Sequence, residues 1–178
     1  MFWYTLFVKT GKEEKVVDEV RLWKIPDLNP FVPVYDAMFR RNGIVTPEKR
    51  KLFPGYVFIE APMPSEDFGL ASAPYIARSP STFKLLRYGG SYESGTSFEM
   101  KNAEQEFLRK LYNQDRCIEM SQGIVEGGRV RVIDGPLKGH ESRITKVKHH
   151  KMEAVIEIEL MGALREVTIG LEVVRQIE

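Results

Sequence analysis

Cysteine is nearly missing from this chain: Cys117 is the one thiol among 178 residues. Intramolecular disulfides are therefore excluded, as are zinc sites built from several thiolates. The lone thiol reads as a small apolar residue near a domain edge rather than a nucleophile. Long apolar runs are missing too. Phe2 to Val8 is followed at once by Lys9 and Lys12. It is too short to span a bilayer and lacks the basic start and small-residue end of a secretory signal. The run reads as a strand buried on both faces, and a cytoplasmic protein with no membrane partner is expected. Nor is there an excess of one charge, with 26 basic and 25 acidic residues and a net +1. Only the distribution of that charge can speak about nucleic acid.

Catalytic signatures are also lacking. There is no Gly-x-Ser-x-Gly elbow, dinucleotide fingerprint or phosphate-binding Gly-Lys-Ser/Thr loop. Gly135-Pro136-Leu137-Lys138-Gly139 is flanked by glycines, but Pro136 removes an amide donor that a phosphate nest needs. The histidines are His140, His149 and His150. Two are adjacent, so on a strand they face opposite ways, which suits a metal poorly. A non-enzymatic protein without cofactor or metal is expected.

Apolar residues are plentiful at 43%, enough for a packed core. Thr10-Gly11-Lys12-Glu13 has the form of a capping box, and Val16, Val17, Val20 and Trp23 follow at helical spacing. Phe31 to Arg41 is extended in character and meets Asn42-Gly43, a strong hairpin signal. Pro54-Gly55 interrupts the next apolar stretch, and Tyr56 to Ile59 restarts a strand. Ser65 to Ser72 reads as a short helix, Phe83 to Tyr88 as a strand and Gly89 to Ser97 as a loop. Met100, Ala103, Phe107 and Leu111 form the stripe of a second long helix. Residues 116–122 read as a linker. Beyond them come short strands at Arg129–Ile133, Glu141–Lys148, Ala154–Leu160 and Val167–Val174, with the turn Asp134-Gly135-Pro136 between the first two. Close-spaced strands without helices predict a small closed barrel over 123–178.

Charge becomes informative once localised. From Arg129 to Lys151 seven basic residues (Arg129, Arg131, Lys138, Arg143, Lys146, Lys148, Lys151) face two acidic ones, a local +5, and all three histidines lie in the same window. A basic hairpin with imidazoles can neutralise phosphates and stack on unpaired bases. An ordinary solvated hairpin would carry the same count, so charge alone leaves both readings open. A second basic cluster, Arg40, Arg41, Lys49, Arg50 and Lys51, adjoins Phe53, Tyr56 and Phe58. Those rings could be core, or could line a groove for a partner helix.

Several segments, in order, resemble the NusG family of transcription elongation factors. They are Trp3-Tyr4 with Thr10-Gly11-Lys12-Glu13, then Arg50-Lys51-Leu52-Phe53-Pro54-Gly55-Tyr56-Val57, then Ala77-Arg78-Ser79-Pro80. The fourth is Gly128-Arg129-Val130-Arg131-Val132-Ile133-Asp134-Gly135-Pro136 with Gly139, similar to the start of a KOW motif. The resemblance implies an α+β N-terminal NGN domain over 1–115, an antiparallel sheet flanked by helices, and a C-terminal all-β SH3-like KOW barrel over 123–178. It implies that Tyr4, Phe53 and Tyr56 line a groove for the clamp helices of the RNA polymerase largest subunit. Arg78 and Ser79 would approach the non-template DNA strand.

General factors of the family carry a Phe-Gly-Arg segment and a Thr-Pro-Val-Glu-Leu stretch late in the barrel. Here the region reads Met161-Gly162-Ala163-Leu164-Arg165 through Val174, with neither the aromatic residue nor the proline. With the basic window, this is most similar to the LoaP antitermination proteins. That likeness implies a monomer that holds a hairpin in the nascent leader RNA. Its RNA contacts would be Arg129, Arg131, Lys138, Arg143, Lys146, Lys148, His149, His150 and Lys151. The alternative is a general elongation factor whose barrel grips a ribosomal or termination protein.

Overall fold

The computed structural model describes residues 1–88 and 97–177, so most of the loop expected over Gly89–Ser97 lies outside the described residues. Strand β1 (Phe2–Val8) forms where the apolar opening predicts one. Helix α1 (Glu13–Arg21) follows and buries Val16, Val17 and Val20. The expected capping box does not start it. Lys12 is the N-cap and makes no side-chain cap, while Glu13 is the first helical residue rather than the third. From that position the buried Glu13 carboxylate accepts N–H groups from Gly11 and Gly55, both at 2.8 Å. It ties the turn before the helix to the Pro-Gly kink far along the chain.

Strand β2 (Asn29–Phe31), the hairpin β3 (Val34–Arg41) and β4 (Ile44–Lys51), and β5 (Tyr56–Ala61) come next. Asn42 and Gly43 both have positive φ, 51° and 79°, and Arg41 pairs with Ile44. That is the tight primed turn expected of Asn-Gly, whose twist matches the flanking strands. Helix α2 (Ser65–Arg78) runs well past Ser72 and through Pro74 to Arg78. Strand β6 (Thr82–Leu85) then pairs with β1. The first sheet has the order β2-β5-β1-β6, with every pairing antiparallel. Tyr4, Leu6 and Val8 share one face with Val57, Ile59 and Ala61, and α1 and Phe68 complete the core there.

Helix α3 (Asn102–Leu111) presents a different face from the one expected. Ala103 is exposed and Phe107 half-buried, whereas Glu104, Gln105, Leu108 and Leu111 are buried. Polar residues enter this face because their groups are satisfied. Glu104 accepts from Gly162 N–H at 3.0 Å, Met161 N–H at 3.3 Å and the Tyr88 hydroxyl at 3.1 Å. Gln105 donates to the Met100 carbonyl at 2.7 Å.

The expected linker segment carries structure of its own. Strand β7 (Cys117–Ile118) pairs in parallel with β3, and β8 (Ser121–Glu126) begins before residue 122. Then come β9 (Arg129–Asp134), β10 (Ile144–Lys148), β11 (Glu153–Leu160) and one long β12 (Ala163–Ile177). Residues 141–143, expected as the start of a strand, form a 3₁₀ turn, and residues 149–151 between the strands form another. A register shift between Ile144 and Lys146 explains why β10 breaks simple alternation. In β11 the expected face is buried at Ala154, Ile156, Ile158 and Leu160, with Glu157 and Glu159 exposed.

These strands form a sheet of order β10-β11-β12-β8-β9, and β4-β3-β7 form a third sheet. Closure of the five strands into a barrel is not found among the described residues. The backbone groups into two compact units interleaved along the chain. One comprises Met1–Pro33, Phe53–Glu106 and Leu160–Ala163; the other comprises Val34–Leu52, Phe107–Glu159 and Leu164–Glu178. Among the described residues, no helix is long and apolar enough to cross a membrane.

Candidate nucleic-acid and polymerase interfaces

The three residues expected to line a groove do not share an exposed surface. Tyr4 is 0% exposed, stacks on Phe68 at 3.9 Å and donates its hydroxyl to the Met63 carbonyl at 2.7 Å. Burial pushes its phenol pKa up. Phe53 is 3% exposed and stacks on Phe58 at 5.6 Å. Only Tyr56 is half-exposed, on the sheet face opposite the core. There it meets two rings that were not anticipated. Phe7, its cross-strand partner, lies 5.5 Å away, and Phe83 lies 5.2 Å beyond Phe7 and is 59% exposed. The register of β1 against β6 slips between Phe7 and Val8, leaving Phe83 as the extra residue of a bulge. Bulges re-aim side chains, and this one brings Phe83 beside Phe7. Phe7 was readable: flanked by the buried Leu6 and Val8, it must face the other way. Phe83 depended on the bulge, which nothing local announces.

Arg78 ends α2 and is exposed. Ser79 is engaged within the fold. Its Oγ donates to Glu19 at 2.7 Å and accepts from the amides of Ser81 and Thr82 at 3.3 and 3.2 Å. It shapes the turn into β6.

The nine basic positions of the C-terminal region do not lie on one hairpin, since β9 and β10 are opposite edges of the sheet order. Arg129 and Arg131 point outward from β9, alternating with the inward Val130 and Val132. Lys138 is exposed in the turn that follows, and Lys146, His149, His150 and Lys151 are exposed at the far edge. Glu141, in the 3₁₀ turn before β10, accepts the Val132 N–H of β9 at 3.1 Å. Desolvation opposes ionisation there, but backbone N–H groups, that of Val132 among them, hold the carboxyl below its usual value. Two of the nine are partly committed. Lys148 lies 3.5 Å from the buried Glu153, which also binds Arg50 at 2.8 Å. Arg143 stacks over the Phe107 ring at 4.1 Å.

The turn at Asp134–Gly139 is built tightly. Gly135 has φ +96°, and a Cβ there would stand 2.6 Å from Ser121 Cα. Ser121 Oγ also accepts the Leu137 N–H at 3.1 Å. Cys117 is buried, 3.1 Å from Lys49 Nζ and 3.3 Å from Asp36, and burial raises its pKa. No group of three or more potential metal ligands occurs among the described residues.

A family model described as "Transcription termination factor nusG" matches residues 1–109. The chain is 23% identical over 183 residues to the transcription termination/antitermination protein NusG of Lactococcus lactis subsp. lactis (strain IL1403), covering 99% of this chain and 93% of that protein. The protein of the same name from Bacillus subtilis (strain 168) is 25% identical over 177 residues, covering 96% and 94%. A solved structure described as domain interaction in Thermotoga maritima NusG superposes with a TM-score of 0.54 at 22% identity, over 97% of this chain and 93% of that one. The likeness to that structure supports the two-part arrangement of an α+β N-terminal region and a C-terminal β region. On the match of its family model over more than half its length, the chain belongs to the NusG family of transcription termination/antitermination factors.

Proposed function

We propose that the chain is an operon-specific processive antitermination factor. Its N-terminal NGN domain, 1–115, holds the RNA polymerase clamp helices. Its C-terminal KOW domain, 123–178, is an SH3-like barrel reached through 116–122, and it holds a hairpin in the nascent leader RNA. The observation that carries the RNA half is the set of exposed cations at Arg129, Arg131, Lys138, Lys146 and Lys151, with His149 and His150. Among the described residues none of them is held in an ion pair, so each is available to a phosphate. Lys148 and Arg143 add to this set from partly engaged positions.

On the polymerase side the contact surface is Phe7, Tyr56 and Phe83, with Tyr4 and Phe53 as buried rings of the same sheet and its approach. Exposed aromatic residues side by side are what an amphipathic partner helix requires. Arg78 faces the non-template DNA, and the factor works as a monomer. Near full-length similarity to the Lactococcus and Bacillus proteins favours a second reading, a general factor whose C-terminal domain grips a ribosomal or termination protein.

Fluorescence anisotropy of the full chain on a labelled leader hairpin separates the two. The RNA reading expects affinity to fall with salt at a log–log slope of about −0.7 to −0.9 per phosphate contacted. Lys146→Glu with Lys151→Glu should then weaken binding at least tenfold. Salt-insensitive binding, or an unaffected double variant, would leave the general-factor reading.

A further inference from the structure

Arg143 is held unlike its basic neighbours. It ends the 3₁₀ turn Glu141–Arg143, and its backbone N–H donates to the His140 carbonyl at 3.0 Å. Residues three apart in a 3₁₀ turn eclipse one another, so His140 and Arg143 fall on the same side. Both meet Phe107. The Arg143 guanidinium carbon stands 4.1 Å from the ring centroid, and the His140 ring meets it edge-on at 5.2 Å and 90°. A third contact pins the guanidinium, whose Nη1 donates to the Glu157 carbonyl at 3.3 Å. Among the described residues, its other N–H groups donate to no side chain or carbonyl. The side chain is half-exposed, and Glu141, in the same turn, is bonded to β9 between the outward Arg131 and Ile133.

An arginine pinned by a ring and a carbonyl has lost its rotamer freedom before any ligand arrives, so little more is lost on binding. Its remaining donors form a planar fork at a fixed place, whereas a mobile surface lysine offers only a point charge. The base edge that matches such a fork is the O6/N7 edge of guanine, two acceptors side by side. Adenine offers a donor at the corresponding position and pyrimidines offer no such pair. Phe107 and His140 add ring surface on which a neighbouring unpaired base can stack.

We infer that Arg143, braced by Phe107 and His140, reads a guanine in the bound RNA, while the exposed lysines and arginines around it neutralise phosphates without regard to sequence. The inference rests on the RNA-binding reading above and assigns it a specificity residue.

The test uses the full chain and three labelled RNA hairpins with a common stem. Their loops carry one guanosine among adenosines, adenosines only, or 7-deazaguanosine in place of the guanosine, which removes the N7 acceptor. The guanosine loop should bind about five- to a hundredfold tighter than the other two, the discrimination a bidentate pair supplies. Arg143→Lys keeps the charge and loses the fork. It should abolish the preference, so that the guanosine and adenosine loops bind alike, with the salt slope unchanged because the charge is kept. Phe107→Leu, which removes the brace and keeps the arginine, should reduce the preference in the same direction. Equal, salt-dependent binding of all three loops by the unaltered chain overturns guanine readout and leaves RNA binding standing. A preference that survives Arg143→Lys assigns the readout elsewhere and overturns the role of Arg143. No salt-dependent binding to any hairpin removes the RNA reading itself, and this inference with it.

Discussion

Glu13 shows how one side chain joins two segments that the sequence keeps far apart. Its carboxylate is buried and accepts two backbone N–H groups, from Gly11 and Gly55. Gly55 is buried and its amide has no water to fall back on, so the acceptor it meets matters more than the charge. Glu13→Gln keeps the shape but turns an NH₂ group towards one of those amides. The variant should lose about 1–3 kcal/mol of stability in urea unfolding, the cost of one unsatisfied buried donor; a change below about 0.5 kcal/mol would refute this role. Glu141 leads to a pH prediction. Its native carboxyl lies below the ordinary 4.5, with backbone N–H groups overcoming the opposing desolvation. A depressed native pKa gives stability that is complete above the unfolded value and lost as pH falls through the native one. The stability difference between the parent chain and Glu141→Gln should therefore be constant at neutral pH and shrink below about pH 4.5. A difference that grows on acidification would contradict the sign.

At the scale of elements, the turn between β9 and the 3₁₀ segment separates two kinds of glycine. Gly135 and Gly139 both have positive φ, at +96° and +83°. At Gly139 an added Cβ meets nothing within 4 Å, so Gly139→Ala costs only backbone strain, about 1–2 kcal/mol. At Gly135 the same methyl would lie 2.6 Å from the Ser121 backbone, so the turn must move away from β8. Gly135→Ala should cost at least about 3 kcal/mol, and thermal melts of the two variants should rank in that order. Equal melting points would mean that β8 does not bear on the turn. Such turns were legible because Asn-Gly and Asp-Gly-Pro act within four residues. So were β1, a short continuous apolar run, and α1, β9 and β11, whose apolar residues repeat at the period of their own element. What escaped was decided by remote partners. The α3 face is rotated because Glu104 is satisfied by amides of Met161 and Gly162, more than fifty residues away. Strands β7 and β8 were hidden in a stretch with little periodicity, whose pairing comes from β3 and β12. At the candidate site the cations themselves were readable, but not the sheet order that sets β9 and β10 at opposite edges. Burial of Tyr4 and Phe53 was not readable either, because an aromatic motif looks the same inside a core and on a groove.

For the molecule as a whole, the two candidate surfaces rest on different physics, and this makes them separable. The ring patch of Phe7, Tyr56 and Phe83 is apolar, and its binding should depend little on ionic strength. The basic set binds through phosphate neutralisation and should weaken steeply with salt. Phe83 is the ring to alter, since it is 59% exposed and sits on a bulge at the end of the sheet order. Removing it leaves the core of Tyr4, Leu6, Val8 and Ile59 untouched, so Phe83→Ala should leave the melting temperature within a few degrees. If the patch takes a polymerase helix, the same variant should weaken binding to purified RNA polymerase by about tenfold or more, as truncating an exposed aromatic anchor does. Binding of the leader hairpin should be unchanged. The complementary variant, Lys146→Glu with Lys151→Glu, should do the reverse. Loss of both activities in either variant, at an unchanged melting temperature, would mean that one surface serves both partners, and the division of labour proposed for this chain would fail.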